Sequence, residues 1–293
     1  MLQNNKWNQL AILLCLLGGN ILIFSLLASG SSFLIWQSTS MDNPAVVRYI
    51  NTFVAVGVFG FTAGLYALIV SQRKPIAYLK LNQGIRGNTV FWLLLILCAS
   101  MPALSWIIKW NEGLHLPQAL SAVEQWMRTQ EETLGVLTKQ LLAGTSGSVL
   151  AANLLAIAIV PAICEELFFR GVLLTWLKDS FRNKHLAVWL SAIVFSAIHV
   201  QFFGFFPRML LGVYLGYIFL WTGSLWAPII AHFLNNAIAV VAAFLHNIGY
   251  IAADYEQIGN GGEKGWVIVL SCCITAFLIA TFALPATNKK YFS

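Results

Sequence analysis

Long apolar runs separated by short polar turns set the pattern of this chain. Eight stretches approach or exceed the roughly 20 apolar residues that cross a hydrocarbon core. They lie near 10–36, 48–70, 89–108, 149–177, 185–203, 207–222, 225–247 and 266–286. Runs of this length predict helices, whereas an outer-membrane barrel would show short segments of alternating polarity. The expected fold is all-α: a polytopic transmembrane bundle of about eight spans, with residues 1–293 forming a single domain. The first run contains Leu27-Ala28-Ser29-Gly30, faintly like a cleavage site. Its apolar stretch is too long for a signal peptide and its positive flank is only Lys6, so it reads as a retained helix. Only one connection is long, 109–147. From Ala119 to Leu142, the apolar residues Leu120, Val123, Met127, Leu134, Leu137 and Leu141 recur at helical spacing, which marks an amphipathic surface helix between spans three and four. It reads first as a connector sealing one end of the bundle and second as a lid or substrate-guiding element.

Composition narrows the class. Hydrophobic residues make up 59% and charged residues 10%, with a mean hydropathy of +0.76. A soluble domain carries about 25% charged residues, so a soluble globular enzyme, a disordered chain and a collagen-like chain are all excluded. The net charge of +6 reads as membrane topology, not as a nucleic-acid footprint, because its cations sit in short loops. With eight spans, Lys6, Arg73, Lys74, Lys80, Arg86, Lys178, Arg182, Lys184, Lys289 and Lys290 fall on one side. Asp42, Glu112, Glu124, Glu131, Glu132, Asp254, Glu256 and Glu263 fall on the other. That asymmetry predicts a multi-pass protein of the plasma (inner) membrane with both termini cytoplasmic. The five cysteines, Cys15, Cys98, Cys164, Cys272 and Cys273, all lie in apolar runs and read as buried free thiols.

Nine of the 11 acidic residues lie in loops or at span ends; the other two, Glu165 and Glu166, are adjacent in the middle of span four. A charge at the bilayer centre costs about 2.5–3.5 kcal/mol or more. Arg170, four residues after Glu166, stacks on the same helix face and neutralises it as an ion pair. Glu165 points about 100° away and has no partner within its own helix. A structural ion pair accounts for Glu166 and Arg170 but not for Glu165, and an unpaired intramembrane acid is a functional candidate suited to proton transfer. Two imidazoles also sit within spans: His199 in span five, one turn after Phe195, and His232 in span seven, one turn before Asn236 on the same face. Each alone reads as a packing histidine. Ionisable groups on three spans point instead to one shared cavity.

Other chemistries are excluded by absence: the sequence holds no His-Glu-x-x-His, no Gly-x-Ser-x-Gly, no intramembrane aspartate and no phosphate loop. What is present resembles the CPBP family, the CAAX proteases and bacteriocin-processing (Abi) enzymes, which includes the type II CAAX prenyl endopeptidases. Its motif Glu-Glu-x-x-x-Arg is matched by Glu165 to Arg170, Phe-x-x-x-His by Phe195 to His199, and His-x-x-x-Asn by His232 to Asn236. The resemblance covers about 150–245, with residues 149–247 as the catalytic core helices. It implies an intramembrane endopeptidase in which Glu165 activates water, His199 positions it, and His232 and Asn236 form the oxyanion hole. Glu166 and Arg170 would support the site. No cofactor is favoured; where zinc is bound, Glu165, His199 and His232 would be its ligands. The partners implied are the lipid bilayer and a peptide or protein substrate, lipidated ones included, although nothing in the sequence specifies a prenyl group.

Two rivals carry different expectations. A noncatalytic immunity or scaffolding protein has no need of Glu165. A proton-coupled transporter would use intramembrane Glu and His but commonly shows repeated halves, and none are present here. Gly212 and Gly216 form a small-xxx-small pair in span six, read as close packing within the bundle before homodimer contact.

Overall fold

A computed structural model describes residues 5–40, 42–251 and 265–287. Asp254, Glu256, Glu263, Lys289 and Lys290, used above for topology, lie outside them. Nine principal helices follow in order: α1 Lys6–Trp36, α2 Pro44–Val70, α3 Thr89–Glu112, α4 Ser121–Leu142, α5 Gly147–Phe181, α6 Lys184–Ala197, α7 Phe205–Thr222, α8 Trp226–Asn247 and α9 Gly265–Thr287. Among the described residues there is no strand. The protein is a polytopic helical bundle. Among the described residues, seven helices are long and apolar enough to cross a membrane by length and composition, and α4 is the amphipathic helix between spans.

The fifth run departs from its expected extent. Helix α6 has 14 residues and stops at Ala197, so His199 stands in the turn beyond it. Tightened bonds close the helix, His199 N–H to Ser196 O at 3.3 Å and Val200 N–H to Ala197 O at 3.2 Å. Val200 then turns left-handed at φ 53°. The Ser196 hydroxyl reaches across the turn to Phe205 O at 2.7 Å, fixing the start of α7. Apolarity alone continued the run through a backbone that reverses.

The cysteine expectation also needs correction. Only Cys164 is buried; Cys15, Cys98, Cys272 and Cys273 face outward. In a membrane bundle the outer surface is itself apolar, so an apolar neighbourhood in sequence does not imply burial.

Helices that line the interior are irregular where prolines and wide turns interrupt their ladders. In α3, Pro102 sits inside the helix. The Ser271 hydroxyl of α9 enters the ladder there, accepting from Ala103 N–H at 3.3 Å and donating to Ala99 O at 2.6 Å. One side chain thereby satisfies both backbone groups and binds α9 to α3. In α5, the turns widen to i→i+5 bonding over 154–159 and 167–174, a device common near functional sites. Freed carbonyls recruit side chains: Ser191 donates to Phe169 O at 3.2 Å and Thr175 to Arg170 O at 3.1 Å. Arg48 of α2 gathers the end of α4 and the start of α5, reaching Leu141 O at 2.9 Å and Asn153 Oδ1 at 2.6 Å.

Helices α6 and α7 pack closely because glycine allows it. A Cβ on Gly212 would stand 3.0 Å from Ala192 Cβ and 3.1 Å from its Cα; one on Gly216 would stand 3.0 Å from Val188. Both glycines are buried inside this contact, so they serve intramolecular packing and are not exposed for a homodimer. Gly212→Ala is expected to lower the melting temperature in detergent, with a cost of about 1–3 kcal/mol from overpacking. Gly64, with nothing within 4 Å of its added Cβ, serves as the control; equal melting temperatures for Gly212→Ala and Gly64→Ala would contradict the tight contact.

Candidate active site

The three motif segments lie on α5, on the turn after α6, and on α8. They line one cavity of about 1140 Å³, together with apolar walls from α3 and α9. Glu165, Phe195, His199, His232 and Asn236 all face it. Glu166 and Arg170 stand behind it.

The site is built outward from Glu166, which is 0% exposed, as is Arg170. Arg170 Nη1 donates to Glu166 Oε1 at 2.6 Å, and its Nη2 donates to Gly212 O at 3.0 Å. The same Glu166 oxygen lies 2.9 Å from His232 Nδ1. The ion pair expected from the four-residue spacing is therefore present, and it has a third member. An ionised carboxylate only accepts, so His232 Nδ1 carries a proton. If the ring is neutral, Nε2 is a lone pair; if it is imidazolium, Nε2 is a donor.

Phe195 explains the spacing of the second motif. Its ring lies 5.2 Å from the His199 ring and 5.9 Å from the His232 ring, both edge-on, and the Arg170 guanidinium sits 4.8 Å over its face. One buried phenyl thus orients both imidazoles and takes a cation–π contact. Its carbonyl lies 2.8 Å from His199 Nδ1. A carbonyl is acceptor only, so Nδ1 holds the proton and Nε2 of a neutral His199 is a free lone pair.

Glu165 is half-buried, and among the described residues it receives no hydrogen bond. One residue along the helix rotates it away from the Glu166 network and onto the cavity wall. Asn236 has a role that its motif position does not reveal. Pro161 has no N–H to give the carbonyl four residues back, Ile157, and Asn236 Nδ2 donates to that oxygen at 3.1 Å. Its second amide hydrogen is left for another acceptor.

Sequence reasoning missed three contributors. Arg208, in the first turns of α7, lines the cavity; as a cation inside the apolar run 207–222 it was legible in the sequence. Tyr214 lines it with a buried hydroxyl that has no partner among the described residues. Glu131 of α4 also lines it, so α4 closes one end of the cavity. Its neighbours hold it there: Arg128 lies 4.3 Å over the Phe203 ring, and Trp126 packs 5.4 Å from Phe202. At the start of α4, outside the spans, Glu124 accepts from Leu116 N–H at 2.8 Å and contacts His115 and Arg128. These bonds, that to Leu116 foremost, pull its carboxyl down to about 2.

Glu165, His199 and His232 share the cavity but do not form a ligand set. Among the described residues, no group of three or more His, Cys, Asp or Glu side chains is placed to hold a metal ion.

With the geometry in place, comparison with known proteins becomes informative. Residues 147–238 match the family of type II CAAX prenyl endopeptidases, Rce1-like. The matched segment runs from the start of α5 into α8 and contains all three motifs. The uncharacterized protein YpbD of Bacillus subtilis (strain 168) is 26% identical over 121 residues, 40% of this chain and 57% of that protein. The match therefore spans a little over half of that relative's length. No solved structure matches the chain. The similarity to the Rce1-like family is confined to this segment of a multi-pass membrane protein.

The Glu166 network has a direct consequence. Removing Arg170 leaves a carboxylate buried with one donor fewer, a loss that typically costs about 3–5 kcal/mol. Arg170→Ala is expected to melt at lower temperature in detergent, and Glu166→Ala likewise. An unchanged melting temperature for Arg170→Ala would show that the pair contributes nothing to the fold.

Proposed function

We propose that the chain is an intramembrane endopeptidase that hydrolyses a peptide bond with Glu165 as the base on water. The observation that carries this reading is the convergence of Glu165, His199, His232 and Asn236 on one cavity, with Glu165 receiving no hydrogen bond among the described residues. Water between Glu165 and the His199 Nε2 lone pair would lose its proton to Glu165 as its oxygen bonds to the scissile carbon. The proton then passes to the amide nitrogen as the C–N bond breaks. The carbonyl oxygen, negative in the intermediate, takes hydrogen bonds from His232 Nε2–H and the second Asn236 N–H. Donation from Nε2 requires His232 as imidazolium, because Nδ1 is committed to Glu166. No step uses a metal. Residues 149–247 form the catalytic core, and both termini face the cytoplasm.

Glu165→Gln is expected to abolish cleavage while leaving the melting temperature unchanged or higher, since it removes a half-buried charge that receives no hydrogen bond among the described residues. Comparing peptides that accumulate in membranes carrying wild type or Glu165→Gln would identify the substrate. Equal turnover of that substrate by the variant would overturn the assignment. Asn236→Ala is expected to lower kcat about 10²–10³-fold with little change in KM. It should also lower thermal stability, because Ile157 O loses its donor. A change in KM alone would move Asn236 from the oxyanion hole to substrate binding.

A further inference from the structure

Arg208 is a cation with no assigned task. It lies half-buried in α7, lining the same cavity as Glu165, His199 and His232. Its Nη2 donates to the Gln201 side chain. Its Nη1 is buried and has no hydrogen-bond partner among the described residues. The chain makes room for this group: a Cβ on Gly204 would stand 3.1 Å from Nη2 and 3.5 Å from Nη1. Charge inside a span is costly, and a buried donor left unpaired adds to that cost. An arginine held in a cavity wall with one free N–H is therefore poised for an acceptor supplied from outside the chain.

The charges around it select the acceptor. Of the carboxylates lining the cavity, Glu131 and Glu165 act electrostatically on Arg208. Its positive charge is already opposed, so an incoming carboxylate would add a third negative group to this corner. A neutral carbonyl accepts the hydrogen bond without that repulsion. We propose that Arg208 is a substrate-binding residue that donates from Nη1 to a main-chain carbonyl of the bound peptide, fixing its register beside Glu165. Recognition through the main chain is independent of side-chain identity. This inference rests on the peptidase reading.

The test uses full-length protein in detergent and internally quenched decapeptides of mixed sequence, from which one cleaved by wild type is taken forward. Arg208→Ala is expected to raise KM about 10- to 100-fold, the effect of losing a hydrogen bond from a charged donor, with kcat within about threefold. Arg208→Gln, which keeps a polar group beside Gln201, guards against loss of fold and should raise KM similarly; melting temperatures check both. Replacing the peptide's carbonyls one at a time by thioamides should reveal one position that raises KM for wild type but not for Arg208→Ala. A wild-type KM in either variant would overturn the proposal. So would a loss confined to kcat, which would assign Arg208 to electrostatic support of Glu165. If wild type cleaves no decapeptide, the peptidase reading itself fails and this inference with it. Cleavage by wild type with an unshifted KM in Arg208→Ala defeats only the inference.

Discussion

One oxygen of a carboxylate with no exposed surface accepts two hydrogen bonds, from Arg170 at 2.6 Å and from His232 at 2.9 Å. Most of the interior is arranged around that constraint. A buried carboxylate is tolerable only with charged donors in good geometry, so α5 supplies Arg170 one turn along and α8 supplies an imidazole from 66 residues away. Arg170 has donors to spare and spends another on Gly212 O. Position 212 itself has no side chain because a Cβ there would crowd Ala192 and Phe195 of α6. Three helices, α5, α7 and α8, thus meet through one ion pair.

The network also fixes protonation. His232 meets a carboxylate and His199 meets a carbonyl, each through Nδ1. The two rings are alike in which nitrogen is engaged and differ in the charge of its partner. Both rings thereby stand fixed along one cavity, with Phe195 packed edge-on to both.

Much of this was legible in the sequence, because hydropathy and helical spacing are local. The runs gave the bundle, the stripe through Leu134, Leu137 and Leu141 gave α4, and the step from Glu166 to Arg170 gave the ion pair. What was not legible is long-range or depends on backbone direction. Nothing near Glu166 announces His232. The end of α6 before His199 depends on a left-handed residue at Val200, a valine that apolarity alone would have kept in the helix. Four of the five cysteines were misplaced because an apolar position in a membrane protein faces lipid as readily as core. Arg208 was visible, but its significance depends on Gly204 and Glu131, which reach it only through the fold.

Asn236 shows how tightly the frame and the proposed chemistry are joined. Proline in the middle of α5 removes a donor and leaves Ile157 O exposed to an apolar interior, a defect that is costly if unrepaired. The repair comes from a side chain on α8, and an amide suits it because it has two hydrogens, one for the carbonyl and one to spare. A serine or threonine at 236 would have a single hydroxyl hydrogen, and repairing the helix would consume it. An aspartate would have none. The backbone donor that Pro161 lacks is thus tied to the residue type at Asn236. The amide that repairs the scaffold is also held in place, one turn from His232, to direct its remaining hydrogen into the cavity.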